Sequence, residues 1–170
     1  MNKIILLILC VLVSSCVLMR DPEPEYIQAA YATIGKHIRQ QKQLGYSVDG
    51  NGGSMTTDVT ELMISYEINK AVDISEARQR LVMLVESLLE IANNDSRLRP
   101  YMHCYPFTNK NAHISLSFND KANLCLYPNV ACVFNVNGMV YYSVAFDNTS
   151  PLETEFEEPY EEARRKVFGY

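Results

Sequence analysis

The most reactive side chains in the second half of the chain are three cysteines, Cys104, Cys125 and Cys132. A cysteine becomes a nucleophile when a nearby base, most often a histidine, takes its proton. His103 is adjacent to Cys104, but neighbours in an extended segment point to opposite sides, so His37 or His113 would have to supply the base. No known nucleophile signature surrounds Cys104. An anchored thiol hydrolase is therefore the alternative interpretation, and no residue is assigned as catalytic.

Cys125 and Cys132 bracket the loop around Pro128, where two adjacent strands would let them face each other. An exported compartment permits disulfides, so a bond between these two cysteines is one interpretation. The other is that both are small buried side chains. The sequence has no CxxC or HExxH motif and no glycine-rich phosphate loop. We therefore assign no metal and no cofactor.

An unusual window of arginines and aromatic residues runs from Arg97 to Phe107. Arg97 and Arg99, followed by Tyr101 and Tyr105, are of the types that hold an anion or a glycan through guanidinium groups and aromatic faces. The same residues also suit a crossover in which arginines complement a helix dipole and aromatic rings close the end of the core. Both interpretations remain open, and these four residues are the candidate ligand or partner contacts.

The amino terminus has the pattern of a secretory signal, with Lys3 followed by a continuous apolar run over 4–13. The uncharged stretch, residues 4–19, is shorter than the roughly 20 residues that a spanning helix needs. The run ends in Val13-Ser14-Ser15-Cys16, which resembles the lipobox of bacterial lipoproteins. This resemblance implies that the chain is cut before Cys16 and that the Cys16 thiol carries a diacylglycerol. A plain cleaved signal or a short uncleaved anchor is the alternative.

The resemblance divides the chain into a signal peptide over 1–15, a lipidated tether over 16–25 and one globular domain over 26–170. It implies an exported protein that is held at a membrane through the lipid on Cys16. Val17 stands where some bacteria place the aspartate that retains lipoproteins at the inner membrane. The outer membrane is therefore the favoured location.

Composition excludes several classes of protein. The chain has 170 residues, of which 48% are hydrophobic and 21% charged, so it is too apolar for a disordered chain and has the length of one domain. Its 5 cysteines are too few for a disulfide scaffold. With 15 basic against 20 acidic residues, the charge balance provides no basic surface for nucleic acid.

Hydrophobic periodicity predicts alternating helical and extended segments. Asp73 and Glu76 form a capping pattern, Asn137-Gly138 is typical of a two-residue hairpin turn, and Pro159 suits a helix start. The predicted order is helix 26–44, glycine-rich loop 45–54, strand 59–69, helix from 73 to about 93, strand 114–118, short segment 124–127, hairpin strands 130–136 and 139–147, and a final helix. Seven acidic residues between 147 and 162 are interpreted as a solvated helix or, alternatively, a docking peptide.

These elements predict an α+β fold in which an antiparallel sheet of about four strands packs two long helices and a short C-terminal helix on one face. The other face of the sheet would expose His113, Ser115, Ser117 and Asn135 and is a candidate interaction surface. The segments Glu76-Ala-Arg, Arg99-Pro-Tyr, Tyr105-Pro-Phe and Glu158-Pro-Tyr resemble those of small uncharacterised bacterial lipoproteins. That resemblance brings no activity with it. From the lipobox resemblance and the small α+β domain we expect a membrane-anchored binding or structural accessory component of an envelope assembly, with an envelope protein as its partner, that works by binding rather than catalysis.

Overall fold

The computed structural model describes residues 23–120 and 123–170. The segment predicted as a signal peptide, the lipobox-like tetrapeptide with Cys16 and most of the predicted tether lie outside the described residues. The helices are α1 (Glu25–Gln43), α2 (Ile74–Asn94) and α3 (Tyr160–Phe168), and a 3-10 turn spans Arg99–Tyr101. The strands are β1 (Ser47–Met55), β2 (Val59–Asn69), β3 (Ala112–Asp120), β4 (Asn123–Leu124), β5 (Cys132–Val136), β6 (Met139–Val144) and β7 (Glu153–Pro159).

The fold is α+β, but its sheet is mixed. Six strands lie in the order β1-β2-β3-β5-β6-β7, and the short β4 pairs with the end of β3. The sheet therefore has more strands than the four predicted, and β2 and β3 are parallel, whereas the other pairs are antiparallel as predicted. β2 and β3 run parallel because α2 and the 3-10 turn carry the chain back between them, as a parallel pair requires.

The two strands that the sequence did not predict are the two edges of the sheet. The glycine-rich segment predicted as a loop is mostly β1, which pairs antiparallel with β2. Half of the acidic stretch interpreted as helix is β7, which pairs antiparallel with β6. Neither edge strand shows the alternation of apolar residues that marks a half-buried strand, because neither has a well-buried face.

The other predicted elements are confirmed, with small shifts in their ends. The Asp73 carboxylate accepts the backbone N–H of Glu76 at 2.8 Å, as the capping pattern requires. Asn137 and Gly138 have φ of 52° and 79°, the left-handed values of a tight hairpin turn between β5 and β6. The segment 124–127 forms only the two-residue β4 and a single bridge from Leu126 to Ala145.

One hydrophobic core lies between the sheet and the helices. Ile114, Leu116 and Phe118 of β3 are at most 1% exposed and belong to the same buried cluster as the apolar stripe of α2. Buried residues of α1 and α3 join that cluster, so the described helices share one face of the sheet.

Asn135 was predicted on the exposed face and lies instead on the core side. It is 2% exposed, and its amide accepts from the Ile114 N–H at 2.8 Å and donates to the Ala112 carbonyl at 2.7 Å. The Asn135 side chain therefore pairs backbone N–H and C=O groups of β3 that a strand backbone would otherwise pair, which explains why a polar residue is buried there.

A buried histidine joins α1 to the sheet. His37 is fully buried, with its Nδ1 2.8 Å from the hydroxyl of Tyr66 on β2. Burial lowers the pKa of His37 to about 4, although its hydrogen bond with the Leu84 backbone opposes the shift. His37 is therefore neutral in the folded protein at physiological pH.

A buried carboxylate joins the far edge of the sheet to α2 and α3. Glu158 is 2% exposed, and its oxygens accept from Arg78 Nε at 2.6 Å, the Tyr142 hydroxyl at 2.6 Å and Lys166 Nζ at 2.7 Å. Burial raises the pKa of Glu158, but the hydrogen bonds from Lys166, Tyr142 and Arg78 lower it more, so the net shift is downward. The carboxylate is thus ionised and fully paired.

Candidate binding surface

The side of the sheet that faces away from the helices is called the open face here. Strand registers place Met63 beside His113 and set Ser115, Phe134 and Tyr141 in one row across β3, β5 and β6. These residues alternate along their strands with the buried ones, and none of them belongs to the core cluster. By register, the open-face residues on the central strands include Glu61, Met63, Ser65, Glu67, His113, Ser115, Ser117, Asn119, Cys132, Phe134, Val136, Met139, Tyr141 and Ser143.

A groove of about 340 Å³ crosses the open face between β2, β3 and β5. Its lining includes Met63, His113, Phe134 and Val136. Met63 is 43% exposed, and the rings of Phe134 and Tyr141 stack with centroids 5.2 Å apart and 19° between their planes. Apolar and aromatic side chains in this arrangement are typical of the centre of a protein interface.

Charge is segregated between the sheet and the rest of the protein. The described strands contain eight acidic residues and no Lys or Arg. Three of the acids, Glu61, Glu67 and Glu157, lie on the open face by register. The basic residues of the described chain are on helices and loops. The open face thus has an apolar groove with serines beside it and acidic residues on β2 and β7, which suits a partner with apolar side chains and cations.

The predicted exposure of His113, Ser115 and Ser117 is only partial, because neighbouring side chains crowd them. His113 Nε2 lies 3.2 Å from the Lys110 carbonyl oxygen, to which it donates, and 3.9 Å from Glu61 Oε1. Beside them, the Cys132 thiol is 8% exposed and 3.6 Å from the Ser115 hydroxyl. Burial raises the pKa of Cys132, so this thiol stays protonated at neutral pH and packs as an apolar side chain.

The structure brings no histidine to Cys104 among the described residues. The exposed Cys104 thiol has a hydrogen bond only to Asn111 Oδ1, at 3.7 Å. The adjacent His103 turns to Asp58, with Nδ1 2.6 Å from Oδ2. His37 is inside the core and His113 is on the open face. This arrangement has no base that would activate the thiol.

Cys125 and Cys132 are both free thiols. Cys125 belongs to the core cluster and donates to the Lys70 carbonyl, whereas Cys132 pairs in register with Ser117 and lies on the open face. The disulfide suggested by their spacing is not formed, because the two side chains lie on opposite sides of the sheet. The residues that the structure describes contain no group of three His, Cys, Asp or Glu side chains placed to hold a metal ion.

The four residues of the arginine and aromatic window do not meet at one site. The Arg99 guanidinium lies over the Tyr105 ring, 4.4 Å from its centroid, and donates to the Tyr105 hydroxyl at 2.8 Å. Arg97 pairs instead with Asp95 at 3.0 Å. The hydrogen bonds from Arg97 lower the pKa of Asp95 to about 2, so this pair is ionised at every physiological pH.

Arg97 and Tyr101 line a separate cleft of about 490 Å³ between the start of α1 and the 3-10 turn. Glu25 is also in its lining, and the Tyr101 hydroxyl donates to the Glu25 carboxylate. The charge of Arg97 is already matched by Asp95, so the cleft offers an anion little net attraction. Tyr101 and Phe107 pack against the core, as the packing interpretation expects, whereas Tyr105 is 53% exposed and does not.

Sequence reasoning missed most of the candidate surface. Met63, Phe134, Val136 and Tyr141 were assigned to strands but not to a shared surface, because pairing between distant strands is not readable from periodicity. A usable signal was present in the charge pattern. Residues 43–69 and 122–163 contain no Lys or Arg at all, and together they include five of the six main strands.

Within the described residues, no helix has the length and apolar character required to cross a membrane. Comparison with models of protein families, with curated proteins and with solved structures found no match for this chain.

Proposed function

We propose that this chain is an exported lipoprotein, anchored through Cys16, whose open face binds an envelope protein. The lipobox-like tetrapeptide supports the anchor. The observation that carries the binding role is the open face itself, an apolar groove with a stacked aromatic pair on the side of the sheet opposite the helices. Contiguous exposed apolar patches on a protein surface often mark sites of interaction with a partner.

The charges of the open face define the chemistry of the partner. Glu61 and Glu67 on β2 and Glu157 on β7 border the apolar centre, and the strands carry no compensating cation. A partner with apolar side chains surrounded by Lys or Arg would bury the groove and pair these carboxylates. An anionic lipid headgroup or a nucleic acid would be repelled by the same surface.

The tether leaves the domain at one end of the sheet. The Tyr26 hydroxyl donates to the Thr56 carbonyl in the turn between β1 and β2, which fixes the start of α1 at that end. Eight residues, 17–24, separate Cys16 from Glu25, and this stretch spans at most about 30 Å when fully extended. The open face is therefore held within about one domain diameter of the bilayer surface, where a membrane-bound partner can meet it.

Two measurements test this proposal. Labelled palmitate should enter the wild-type protein and not Cys16→Ala, and equal labelling of both would refute the anchor. After mild cross-linking in cells, one protein of basic and apolar surface should copurify with the wild type at ten times the yield obtained with Phe134→Ser. Met83→Ser is the matched control, because Met83 is 52% exposed on α2, away from the open face. Equal recovery with Phe134→Ser would refute the binding surface.

A further inference from the structure

The two edges of the sheet differ in how they are protected. An edge strand presents unpaired N–H and C=O groups, and proteins normally guard such edges with charges, proline or bulges. β7 has three exposed glutamates, Glu153, Glu155 and Glu157, an irregularity in its register, and Pro159, which has no N–H to donate. This edge is guarded against pairing with another strand.

β1 has two register irregularities of its own, but it has neither the proline nor the row of glutamates that guards β7. It spans nine residues with no proline, and its one charged side chain is Asp49, next to a register irregularity. Between its two irregularities, Gly50–Ser54 pairs regularly with β2, and this five-residue run is the usual length of a strand. Among the described strands, β1 pairs only with β2, so its outer edge is left without a strand partner.

The surroundings of β1 define what would pair there. Gly50 and Gly52 are on the open-face side by register, and a Cβ on either would meet no atom within 4 Å. Long side chains on an added strand could therefore lie across β1 towards β2. There they would meet Glu61 and Glu67, since the whole stretch 43–69 contains acids and no cation.

We infer that the outer edge of β1 accepts an extended peptide segment carrying Lys or Arg at alternate positions, which adds a strand to the sheet. Backbone hydrogen bonds to β1 would supply affinity, and alternate cations above Gly50 and Gly52 would supply specificity through Glu61 and Glu67. This deepens the proposed binding role and rests on it, because the added strand would extend the open face that the partner contacts.

Hydrogen exchange on the full-length protein in neutral detergent tests the inference. The probe is a nine-residue peptide of alternating lysine and valine, compared with the same peptide N-methylated at every second residue. The unmethylated peptide should slow exchange of β1 amides by at least tenfold and leave β7 amides unchanged. The methylated peptide, which keeps its charge but loses one edge of donors, should give no protection. Protection by both peptides, or protection of β7 in place of β1, would overturn the inference.

Matched variants on the two edge strands distinguish peptide binding at β1 from nonspecific attraction of a cationic peptide to the acidic protein. Gly52→Lys adds a cation where the structure has space, and it should weaken peptide binding at least tenfold, whereas Glu155→Lys makes a larger charge change on β7 and should weaken it less than twofold. An equal loss in both variants would contradict a site at β1. The peptide assay does not depend on Cys16 or Phe134. A negative result for the lipid anchor or for partner capture can therefore be told apart from a negative result for the peptide site on β1.

Discussion

The two faces of β3 show how one strand serves two purposes. Ile114, Leu116 and Phe118 point into the core and are at most 1% exposed. His113 and Ser115, which alternate with them along the strand, line the groove on the open face. The core side is closed by helices and by the paired groups His37 and Glu158. The open side has an apolar groove and carboxylates, and the described strands contain no Lys or Arg.

This difference predicts that core-side residues determine the stability of the fold and that open-face residues determine binding. Residues on the core side are held by packing and by buried hydrogen bonds, and removing one partner leaves the other unpaired. Changes there should therefore lower the free energy of unfolding strongly. Residues on the open side contribute less to the core, so changes there should alter binding while the fold persists. The predictions that follow test this separation, from the largest expected loss of stability to the smallest.

Glu158→Ala should have the largest effect. It leaves Arg78, which is 14% exposed, without its carboxylate partner, and removing one member of a buried ion pair costs about 4 kcal/mol. Urea unfolding measures the loss. Glu157→Ala, the neighbouring position on the open face, is the control and should change the free energy of unfolding by less than about 0.5 kcal/mol. Similar losses for both variants would contradict the assigned faces.

Leu116→Ala should lower the free energy of unfolding by about 3 kcal/mol, because it removes a fully buried side chain and leaves a cavity. Ser115→Ala, one residue earlier on the open face, should change it by less than about 0.5 kcal/mol. Thermal and urea unfolding of the two variants provide the comparison. A larger loss for Ser115→Ala than for Leu116→Ala would show that the register is wrong.

His37 should make the protein sensitive to acid. Its pKa is about 4 in the folded state and 6.5 when unfolded, so the unfolded chain binds the proton first as pH falls. The stability from neutral His37 is complete above pH 6.5 and declines towards pH 4, with a loss of about 2 kcal/mol at pH 5. Unfolding measured between pH 7 and pH 5 checks this. His37→Gln should be less stable at pH 7 and lose most of this slope, and an unchanged slope would contradict it.

Apart from the control variants, Phe134→Ser should have the smallest effect on stability. The ring is half-buried and stacks on Tyr141, so its loss should cost about 1 kcal/mol. Partner binding should nevertheless fall by at least tenfold, which a copurification titration measures. Unfolding of Phe134→Ser at 25 °C would show that this side chain supports the fold, and the separation of the two faces would fail.

The sequence predicts the helices and central strands well, because each has a buried face that imposes its period on the residues. Ala77, Leu81, Leu84 and Leu88 mark α2 in this way, and all four are at most 2% exposed. β1 and β7 have no such face, so their glycines and glutamates were interpreted as loop and helix. Edge strands are defined by the neighbour that they pair with, and local periodicity does not contain that information.

Part of the candidate surface was within reach of the sequence. The alternation in β3 placed His113, Ser115 and Ser117 on the face away from the helices, and the structure agrees. The alternation through the hairpin placed Asn135 there too, because a polar residue in a strand is expected to face water. Its hydrogen bonds to the β3 backbone keep it inside instead. The groove depends on packing between β2, β3 and β5, which no single segment encodes.

The open face as a binding surface is tested most directly with two methionines on opposite sides of the molecule. Met63 in the groove and Met83 on α2 are 43% and 52% exposed, so a photo-cross-linking residue at either position is comparably accessible. In intact cells, the residue at position 63 should give one adduct, attached to a segment of the partner that carries Lys or Arg beside apolar residues. That adduct should disappear when Glu61 and Glu67 are changed to lysine, and position 83 should give none. Equal adducts from both positions, or none from position 63, would contradict the proposal.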